Sequence, residues 1–451
     1  MGDGLQVALL IAELGRCFGF LTLPDMKFLF VHQNFPGQYL HLVQHLRDEG
    51  HEVVFITQHG SSVSGIRLLE YLPLPQNSSL DRYMGEIETN VMNGLAVARL
   101  CEGLKRDGFV PDIVIGHCGW GEVIFVKDVW PSAPLLGYFE FFYRATGSDL
   151  DFDNEFPTSP DDVLRLRVRN TTNLLSLDAA DWGQTPTQWQ RDQYPERYRD
   201  QISVIHEGID TERVRPEASA RLWLQGGISL SRDDEVVTYS ARNLEPYRGF
   251  HILMRALPRI LSERQNARVL IVGSDGVSYG RRPPDTATWR QYMMRELGGS
   301  IDMSRVHFVG KLPYEQYLAV LQLSSVHVYL TYPFVLSWSL LEAMAAGCLV
   351  IGSRTPPVEE VMIDGKNGLL VDFFDVEGLA DRVCSVLADR AANSAIREAA
   401  RKVVVSQFDL KSACLPAHLA LIRRLTGTAS PPRRSRAERG RNKAEALVPV
   451  R

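Results

Sequence analysis

The chain has 451 residues, enough for two domains of ordinary size, each with its own hydrophobic core. Hydrophobic residues make up 45% and charged residues 23%, as in soluble globular proteins. The net charge of −5 argues against a nucleic-acid-binding protein, and no apolar run reaches the roughly 18 residues of a transmembrane helix. Six cysteines occur singly, without metal-ligand spacing, which favours reduced thiols in a cytoplasmic protein.

The first 25 residues differ in pattern from the rest of the chain. A short apolar run at 7–12 comes after Asp3 and has no basic segment ahead of it, so a secretory signal is not predicted. A strand pattern starts freshly at Met26. We therefore expect residues 1–25 to be a leader outside the fold.

Residues 26–213 are predicted to form a first Rossmann-like domain. A buried strand at 27–32 runs into a turn with Gly37, which opens a helix, and a second strand comes at 51–57. The loop lacks the G-x-G-x-x-G spacing, so it gives poor support to dinucleotide binding. His117 ends the strand predicted at 113–116, where ligand groups of open α/β sheets collect. An ordinary tight turn and a satisfied loop histidine are the alternatives.

Residues 214–405 are predicted to form a second Rossmann-like domain, with the polar stretch 217–234 as a linker that leads into it. Arg242 and Arg248 flank the loop between its first strand and helix, beside Gly249. Two cations next to a glycine form a plausible pyrophosphate clamp. Solvated surface arginines are the alternative for either residue alone.

The apolar run 326–331 predicts a strand, and helical spacing resumes at Trp338 after a short loop. Ser337 or Ser339 can cap this helix. Its N-terminus carries unpaired N–H groups and roughly half a positive charge, which suits a phosphate. Glu342 lies about one turn into the helix, where a carboxylate could accept hydrogen bonds from a ribose. A capped helix with one glutamate on its buried side is the alternative.

Three segments resemble a known family. Residues 340–371, LLEAMAAG through PVEEVMIDGKNGLLV, resemble the donor-site signature of the family 4 glycosyltransferases. PDIVIGHCGWG resembles that family's strand-end histidine, and SVIHEGIDTERVRP resembles its domain-crossing signature. The resemblance covers residues 27 to about 425 and implies the α/β GT-B fold. Two Rossmann-like domains would face a central cleft, and a helix at 406–427 would cross back to the first domain.

By this resemblance, the protein is expected to be a retaining, hexosyltransferase-type enzyme that needs neither a metal nor another cofactor. It would move a sugar from a UDP- or GDP-linked donor to an acceptor, such as a lipid-linked or polysaccharide precursor. The implied catalytic residues are His117, Arg242 and Arg248. The implied donor-binding residues are Gly37, Gly310, Lys311, Leu312, Ser337, Ser339, Leu340 and Glu342.

The sequence departs from the family at Phe334, where the family has the first glutamate of a pair that ends at Glu342. Main-chain groups and Ser337 could replace that carboxylate, the donor sugar could have fewer hydroxyls there, or turnover could be slow. Two other functions remain open. One is a catalytically inactive GT-B protein that binds nucleotide sugar or a partner enzyme, and the other is a sugar-nucleotide epimerase of the same fold.

Asp149, Asp151 and Asp153 have the D-x-D spacing that can hold a divalent cation in metal-dependent GT-A transferases. Because these aspartates lie in a polar loop and not directly after a strand, we expect a solvated loop or an acceptor contact instead.

Residues 428–451 form a basic tail rich in Pro and Arg, which is predicted to be disordered. The alternative is electrostatic attachment to an anionic membrane surface. It would place a cytoplasmic protein at the inner face of the membrane.

Overall fold

The computed structural model describes residues 23, 25–61, 63–73, 81–224 and 226–427. Nearly all of the predicted leader and the whole predicted basic tail lie outside these residues, so both stay predictions. None of the helices in the described ranges combines the length and apolarity needed to cross a bilayer.

The first domain is built on a seven-stranded parallel sheet with the strand order β3-β2-β1-β4-β5-β6-β7. Its inner strands are buried on both faces, as a parallel sheet covered by helices requires. The strands are β1 Lys27–Val31, β2 Glu52–Thr57, β3 Arg67–Glu70, β4 Ile113–His117, β5 Leu135–Tyr138, β6 Trp182–Thr185 and β7 Ile202–Val204. The helices are α1 Leu40–Asp48, α2 Arg82–Arg106, α3 Val126–Val129, α4 Pro160–Ala179, α5 Gln188–Gln193 and α6 Glu196–Arg199.

The second domain has a six-stranded parallel sheet with the order β12-β11-β10-β13-β14-β15, preceded by the β8-β9 hairpin. Its strands are β8 Arg221–Trp223, β9 Ser229–Ser231, β10 Val236–Asn243, β11 Arg268–Ser274, β12 Val306–Gly310, β13 Val326–Tyr329, β14 Val350–Ser353 and β15 Leu369–Val371. The remaining helices are α7 Phe250–Glu263, α8 Trp289–Leu297, α9 Tyr314–Leu323, α10 Trp338–Ala345, α11 Pro356–Glu359, α12 Val376–Ala388, α13 Ser394–Gln407 and α14 Leu415–Thr426. Two parallel sheets confirm the predicted α/β class.

The stretch 217–234, which we predicted to be a linker, is folded. Its strands β8 and β9 pair antiparallel, and Leu222 and Leu230 are buried in a cluster with Leu270 and Val320. Each of these three-residue strands buries only its central side chain, so the segment is polar overall although it packs on the second domain. The prediction failed because two buried residues give no periodic signal.

The chain passes between the domains twice at one place. Ile209 donates its N–H to Phe408 O at 2.8 Å, and Leu410 donates its N–H to Ile209 O at 2.9 Å. Gly208 has φ +94°, and a Cβ there would lie 2.8 Å from Leu410 Cα, so this close crossing requires glycine. The boundary that we predicted at 213/214 lies between the two sheets and stays a prediction.

The C-terminal segment returns to the first domain, as the GT-B fold implies. The predicted helix at 406–427 is interrupted, because α13 ends at Gln407 and a short π-helical turn, Leu410–Cys414, precedes α14. Helix α14 packs Leu421 and Ile422 into the first-domain core around Phe28.

Candidate active site

The predicted first-domain residue His117 is fully buried and lies between two aromatic rings. Its imidazole stacks on Trp120 at 4.0 Å between ring centroids and on Tyr138 at 5.4 Å. Gly119 N–H donates to His117 Nδ1 at 3.0 Å, so the ring proton is on Nε2. That nitrogen lies 3.5 Å from a carboxylate oxygen of Glu140. His117 therefore lies against Glu140, which is the more exposed group of the pair.

Glu140 was missed by the sequence analysis. It comes two residues after β5, and its Oε1 also accepts a hydrogen bond from Gln38 Nε2 at 3.0 Å. Burial alone would raise the pKa of this carboxyl, but the His117 imidazole and the charge of Arg242 outweigh burial and lower the pKa. A lone glutamate in the apolar run YFEFF was the available signal, because a charge there needs partners.

Gly37, in the loop after β1, lies against His32, and His32 is linked to Glu140 through Gln38. Gly37 has φ +54°, and a Cβ at this position would lie 2.5 Å from the imidazole of His32. The His32 ring is hydrogen-bonded to Gln38 Oε1 at 2.6 Å, which continues the chain of contacts to Glu140. Burial lowers the pKa of His32 to about 3, so it is neutral at physiological pH. The contact of this loop with a donor phosphate stays a prediction.

The two predicted clamp arginines have different surroundings. Arg242 is exposed near the end of β10, and no described residue forms a hydrogen bond or ion pair with its guanidinium. Its charge nevertheless helps to lower the pKa of Glu140 in the first domain, so the two groups interact electrostatically between the domains. Arg248 is buried and donates from Nη1 to Thr331 Oγ1 at 2.8 Å and to Val335 O at 3.0 Å. Arg248 is thus tied to the loop ahead of α10.

Helix α10 begins as predicted, with Ser337 as its N-cap. Ser337 Oγ accepts from Ser339 N at 3.3 Å, and Ser337 O accepts from Leu340 N at 3.2 Å. Ser337 N–H donates to Tyr329 Oη at 2.9 Å. The three N–H groups predicted to bind a phosphate are therefore already engaged, and the Leu340 side chain lies in the core.

Glu342 is buried under two tyrosines. Tyr314 donates to Oε1 at 2.7 Å and Tyr317 donates to Oε2 at 3.0 Å. Burial raises the pKa of this carboxyl, and the two hydroxyls oppose that shift. Each carboxylate oxygen keeps a second acceptor position for a ribose hydroxyl.

The loop predicted to lie over the base is next to this carboxylate, because Tyr314 follows it by two residues. Gly310 has φ +68° and open space at its Cβ position, Lys311 is exposed, and Leu312 is half-buried. The structure therefore brings the loop and Glu342 together.

Phe334 lies in the interface between the domains. Its side chain is only 4% exposed, and its ring centroid is 4.6 Å from that of Phe141, which belongs to the first domain. Tyr279 and Tyr247 of the second domain complete the cluster at 4.9 and 5.5 Å. At the position of the family's first glutamate this chain has an apolar contact across the cleft.

Two of the three D-x-D residues, in the loop that comes after Phe141, are buried, which corrects our expectation of a solvated loop for them. Asp149 and Asp153 are buried, and only Asp151 is exposed. Asp149 accepts a hydrogen bond from Tyr247 Oη at 2.9 Å, and Asp153 accepts one from Tyr332 Oη at 2.5 Å. The expectation failed because these partners lie about 100 or more residues further along the chain.

Two further contacts join this loop to the second domain. We call Asp149, Asp153 and Glu155 the interdomain clasp. Asp153 lies 3.3 Å from His251 Nε2, and Glu155 pairs with Arg255 through two bonds of 2.7 and 2.8 Å. Asp153, Glu155 and His251 offer ligand atoms within 4.8 Å of one another, a grouping that could hold a metal ion. Because Tyr332 and Arg255 already bind the two carboxylates, the grouping is explained by docking alone.

Two more glutamates join the domains, and the sequence analysis assigned a role to neither. Glu207, in the crossing segment, accepts hydrogen bonds from Tyr138 Oη and, at 2.9 Å, from Trp338 Nε1 at the start of α10. Glu360 accepts the N–H groups of Gln188 and Trp189 at 2.8 and 2.7 Å. Through these bonds, each carboxylate holds the two domains together.

Comparison with known proteins agrees with this architecture. The model of the glycosyl transferase family 4 group matches residues 49–214, and the model of the glycosyl transferases group 1 matches residues 226–403. Together the two matches span about three quarters of the chain.

Among curated relatives, the D-inositol 3-phosphate glycosyltransferase of Corynebacterium glutamicum (strain R) is 27% identical over 282 residues, 61% of this chain and 62% of that protein. A glycogen synthase of Mycobacterium tuberculosis is 28% identical over 209 residues, 46% of this chain and 45% of that protein. The matched region thus spans less than two thirds of these relatives' own length.

Solved structures share the fold. A glycosyltransferase from Rickettsia africae ESF-5 has a TM-score of 0.63 at 16% identity, covering 90% of this chain and 100% of that one. Anabaena HepE in complex with UDP-glucose has a TM-score of 0.61 at 17% identity, covering 88% and 100%. With both domains matched by family models, the chain belongs to the family 4 glycosyltransferases of group 1 type, which have the GT-B fold.

Proposed function

We propose that the protein is a retaining glycosyltransferase that moves a sugar from a nucleoside diphosphate sugar to an acceptor hydroxyl. The observation that carries this proposal is the exposed guanidinium of Arg242, which has no hydrogen-bond or ion-pair partner among the described residues and whose charge acts on Glu140 of the first domain. A diphosphate is the ligand that an unpaired cation in such a cleft suits. Glu342, behind the loop at Gly310, offers a carboxylate oxygen that can accept a hydrogen bond from the ribose of the same nucleotide sugar.

In the proposed reaction, the acceptor oxygen forms a bond to the anomeric carbon while the bond from that carbon to the diphosphate oxygen breaks. The electron pair leaves with the nucleoside diphosphate, and the hydroxyl proton passes to the departing phosphate oxygen. Attack on the face from which the diphosphate departs retains the anomeric configuration. Arg242 stabilises the charge that develops on the diphosphate, which is the largest electrostatic demand of the step.

The other predicted donor residues act in this proposal through the loop ahead of α10. Arg248 fixes that loop through Thr331 and the Val335 carbonyl. Binding of the diphosphate at Ser337 and Ser339 would exchange hydrogen bonds within the helix start for bonds to phosphate oxygens. The first-domain wall, with His117 and Gly37, would close the cleft over the sugar and exclude water.

The donor and acceptor are tested together by a turnover assay. Purified protein is incubated with UDP- and GDP-linked hexoses and a mixture of acceptor glycans, and release of the nucleoside diphosphate is measured. Proton NMR of the product gives the anomeric configuration. The proposal predicts that nucleoside diphosphate is released only when an acceptor is present and that the product keeps the anomeric configuration of the donor. A product of inverted configuration contradicts the retaining mechanism.

The acceptor could be a lipid-linked precursor, for which the basic tail at 428–451 would supply electrostatic attachment to anionic lipid. Sedimentation with vesicles that contain phosphatidylserine, before and after deletion of 428–451, tests this. Equal sedimentation of both proteins removes membrane contact from the proposal.

A second candidate function, a catalytically inactive nucleotide-sugar-binding protein, is favoured by Phe334. Its buried ring takes the position of a family carboxylate and packs on Phe141 of the opposite domain. Nucleotide binding without turnover of any donor would support this candidate. A sugar-nucleotide epimerase would instead change the donor with no acceptor present, which NMR of the sugar nucleotide detects.

A further inference from the structure

A cavity of about 240 Å³ opens in the first domain beside the proposed reaction centre. Helices α2 and α4 form its far wall, and the residues after β4 and β5 form the wall nearest the cleft. It is large enough for one sugar ring, since it equals the liquid volume of about eight water molecules. Its lining includes His117, Trp120, Glu140, Tyr143, Arg169 and Asn173.

The charged side chains that line this cavity do not suit a phosphate. Arg169 is the one cation among its described lining residues, and its Nε lies 3.2 Å from a carboxylate oxygen of Glu86. The Arg169 guanidinium also lies over the ring of Tyr143 at 3.9 Å, so it is held from two sides. Glu86 and Glu140 are both acidic, and a phosphate placed beside them would be repelled.

The remaining lining groups suit a sugar with free hydroxyls. Trp120 is half-buried, with His117 stacked on the indole and the cavity beside it. Asn90 donates one bond within the protein, to Thr172 Oγ1, whereas Asn173 donates two, to Phe141 O and to Asn170 Oδ1. The remaining N–H of Asn90 and the side-chain oxygens of both amides match hydroxyl groups, which both donate and accept.

We propose that this cavity binds the acceptor and that the acceptor presents an uncharged sugar, stacked on Trp120 with a hydroxyl bonded to Glu140. This inference rests on the proposed transferase function and specifies the class of its acceptor. The proposed acceptor is uncharged, whereas the names of some relatives state a phosphorylated one, D-inositol 3-phosphate. Glu140 then touches the reacting hydroxyl, whereas His117 and Gln38 are positioning residues that hold the carboxylate.

Saturation-transfer NMR on the full chain tests the proposal without a known donor. One set of probes contains methyl glycosides of glucose, mannose, galactose and N-acetylglucosamine. The other set contains glucose 6-phosphate, mannose 6-phosphate and inositol 3-phosphate. We expect at least one glycoside to receive saturation and the phosphorylated probes to receive none.

Variants assign any signal to this cavity. Trp120→Ala should weaken glycoside binding about five- to tenfold, and Trp120→Phe, which keeps an aromatic face, should restore most of it. Glu140→Gln is the second variant, should Trp120→Ala fail to fold, and it should weaken binding to a similar extent. Trp223→Ala is the matched control, because Trp223 is 72% exposed on the β8-β9 hairpin.

Saturation of the phosphorylated probes in preference to the glycosides overturns the proposal. Absence of any glycoside signal, or an equal signal in wild type and Trp120→Ala, overturns it as well. A parallel thermal-shift measurement with UDP and GDP reports on the donor site. If neither UDP nor GDP raises the melting temperature of the wild type, that result would count against the transferase function itself, independently of the glycoside result.

Discussion

Replacing Glu207 with alanine should weaken both the fold and the donor site, because this one carboxylate joins the two domains. Its side chain is buried, with Tyr138 of the first domain donating to one oxygen and Trp338 of the second donating to the other. Trp338 is the first residue of α10, so the bond also fixes the helix start that is proposed to face the diphosphate.

The size of the effect can be worked from the two hydrogen bonds. A bond to a charged group contributes about 1.5–3 kcal/mol, so their loss should lower the free energy of unfolding by roughly 3–6 kcal/mol. For a domain of this size that corresponds to a fall in Tm of roughly 6–24 °C. Glu207→Gln, which keeps one acceptor oxygen, should fall between wild type and alanine.

Calorimetry measures these changes in stability, on the wild type, the two Glu207 variants and Glu212→Ala. Glu212 is a neighbouring glutamate with a 72% exposed side chain that pairs with Lys411, so its loss should change stability by less than about 1 kcal/mol. If Glu207→Ala unfolds within about 1 kcal/mol of wild type, the carboxylate does not hold the domains as described.

Three further effects are expected. His327 is buried and neutral, with its pKa lowered to about 3 by burial. Because the unfolded imidazole binds a proton below its usual pKa of 6.5, the free energy of unfolding should fall by about 2 kcal/mol from pH 7 to pH 5 through this residue alone. Denaturant titration should show a shallower pH slope for His327→Asn, and an unchanged slope would contradict the assignment. Glu155→Gln and Arg255→Gln should each loosen the clasp and speed proteolysis of the loop after β5, and the double variant should be less impaired than the sum of both; an effect equal to the sum would show that they do not act as a pair. Phe334→Glu should destabilise the protein by several kcal/mol relative to Phe334→Leu, because a carboxylate would be buried among aromatic rings; equal thermal stability would show that the cleft opens freely there.

The architecture was predictable because its signals are local. Buried parallel strands appear as short apolar runs such as FLFV in β1 and VHVY in β13, and glycines mark the turns between elements. Ser337 or Ser339 was predicted to cap helix α10, and the structure has Ser337 as the N-cap. The β8-β9 hairpin escaped prediction because each strand buries a single leucine.

The contacts between the domains were not predictable in the same way. Asp153 looks like a solvated acid in a polar loop, and only the fold brings Tyr332, 179 residues away, to its oxygen. Glu360 likewise showed no role until α5 of the other domain was seen to donate to it. Sequence patterns report which face of an element is buried, but they do not report which distant donor satisfies a given carboxylate.

The candidate site was predictable to the extent that its residues lie at strand ends. His117 was identified from that position, and the structure packs it against Glu140. Arg242 was identified because it flanks the loop between strand and helix, and it is exposed near the end of β10. The pairing of Arg242 with Arg248 was a weaker inference, because charge pattern cannot distinguish an exposed guanidinium from one bonded to Thr331. The roles of all these residues in binding and turnover stay proposals.

The most direct test of the account is nucleotide binding by Arg242→Ala, measured by thermal shift with UDP, GDP, ADP and dTDP. Arg221→Ala, an exposed arginine on β8, is the matched control. Wild type and Arg221→Ala should be stabilised by about 2.7 kcal/mol by at least one nucleotide at a hundred times its dissociation constant. Arg242→Ala should show no stabilisation at that concentration, and a full shift in this variant would contradict a diphosphate site built on Arg242.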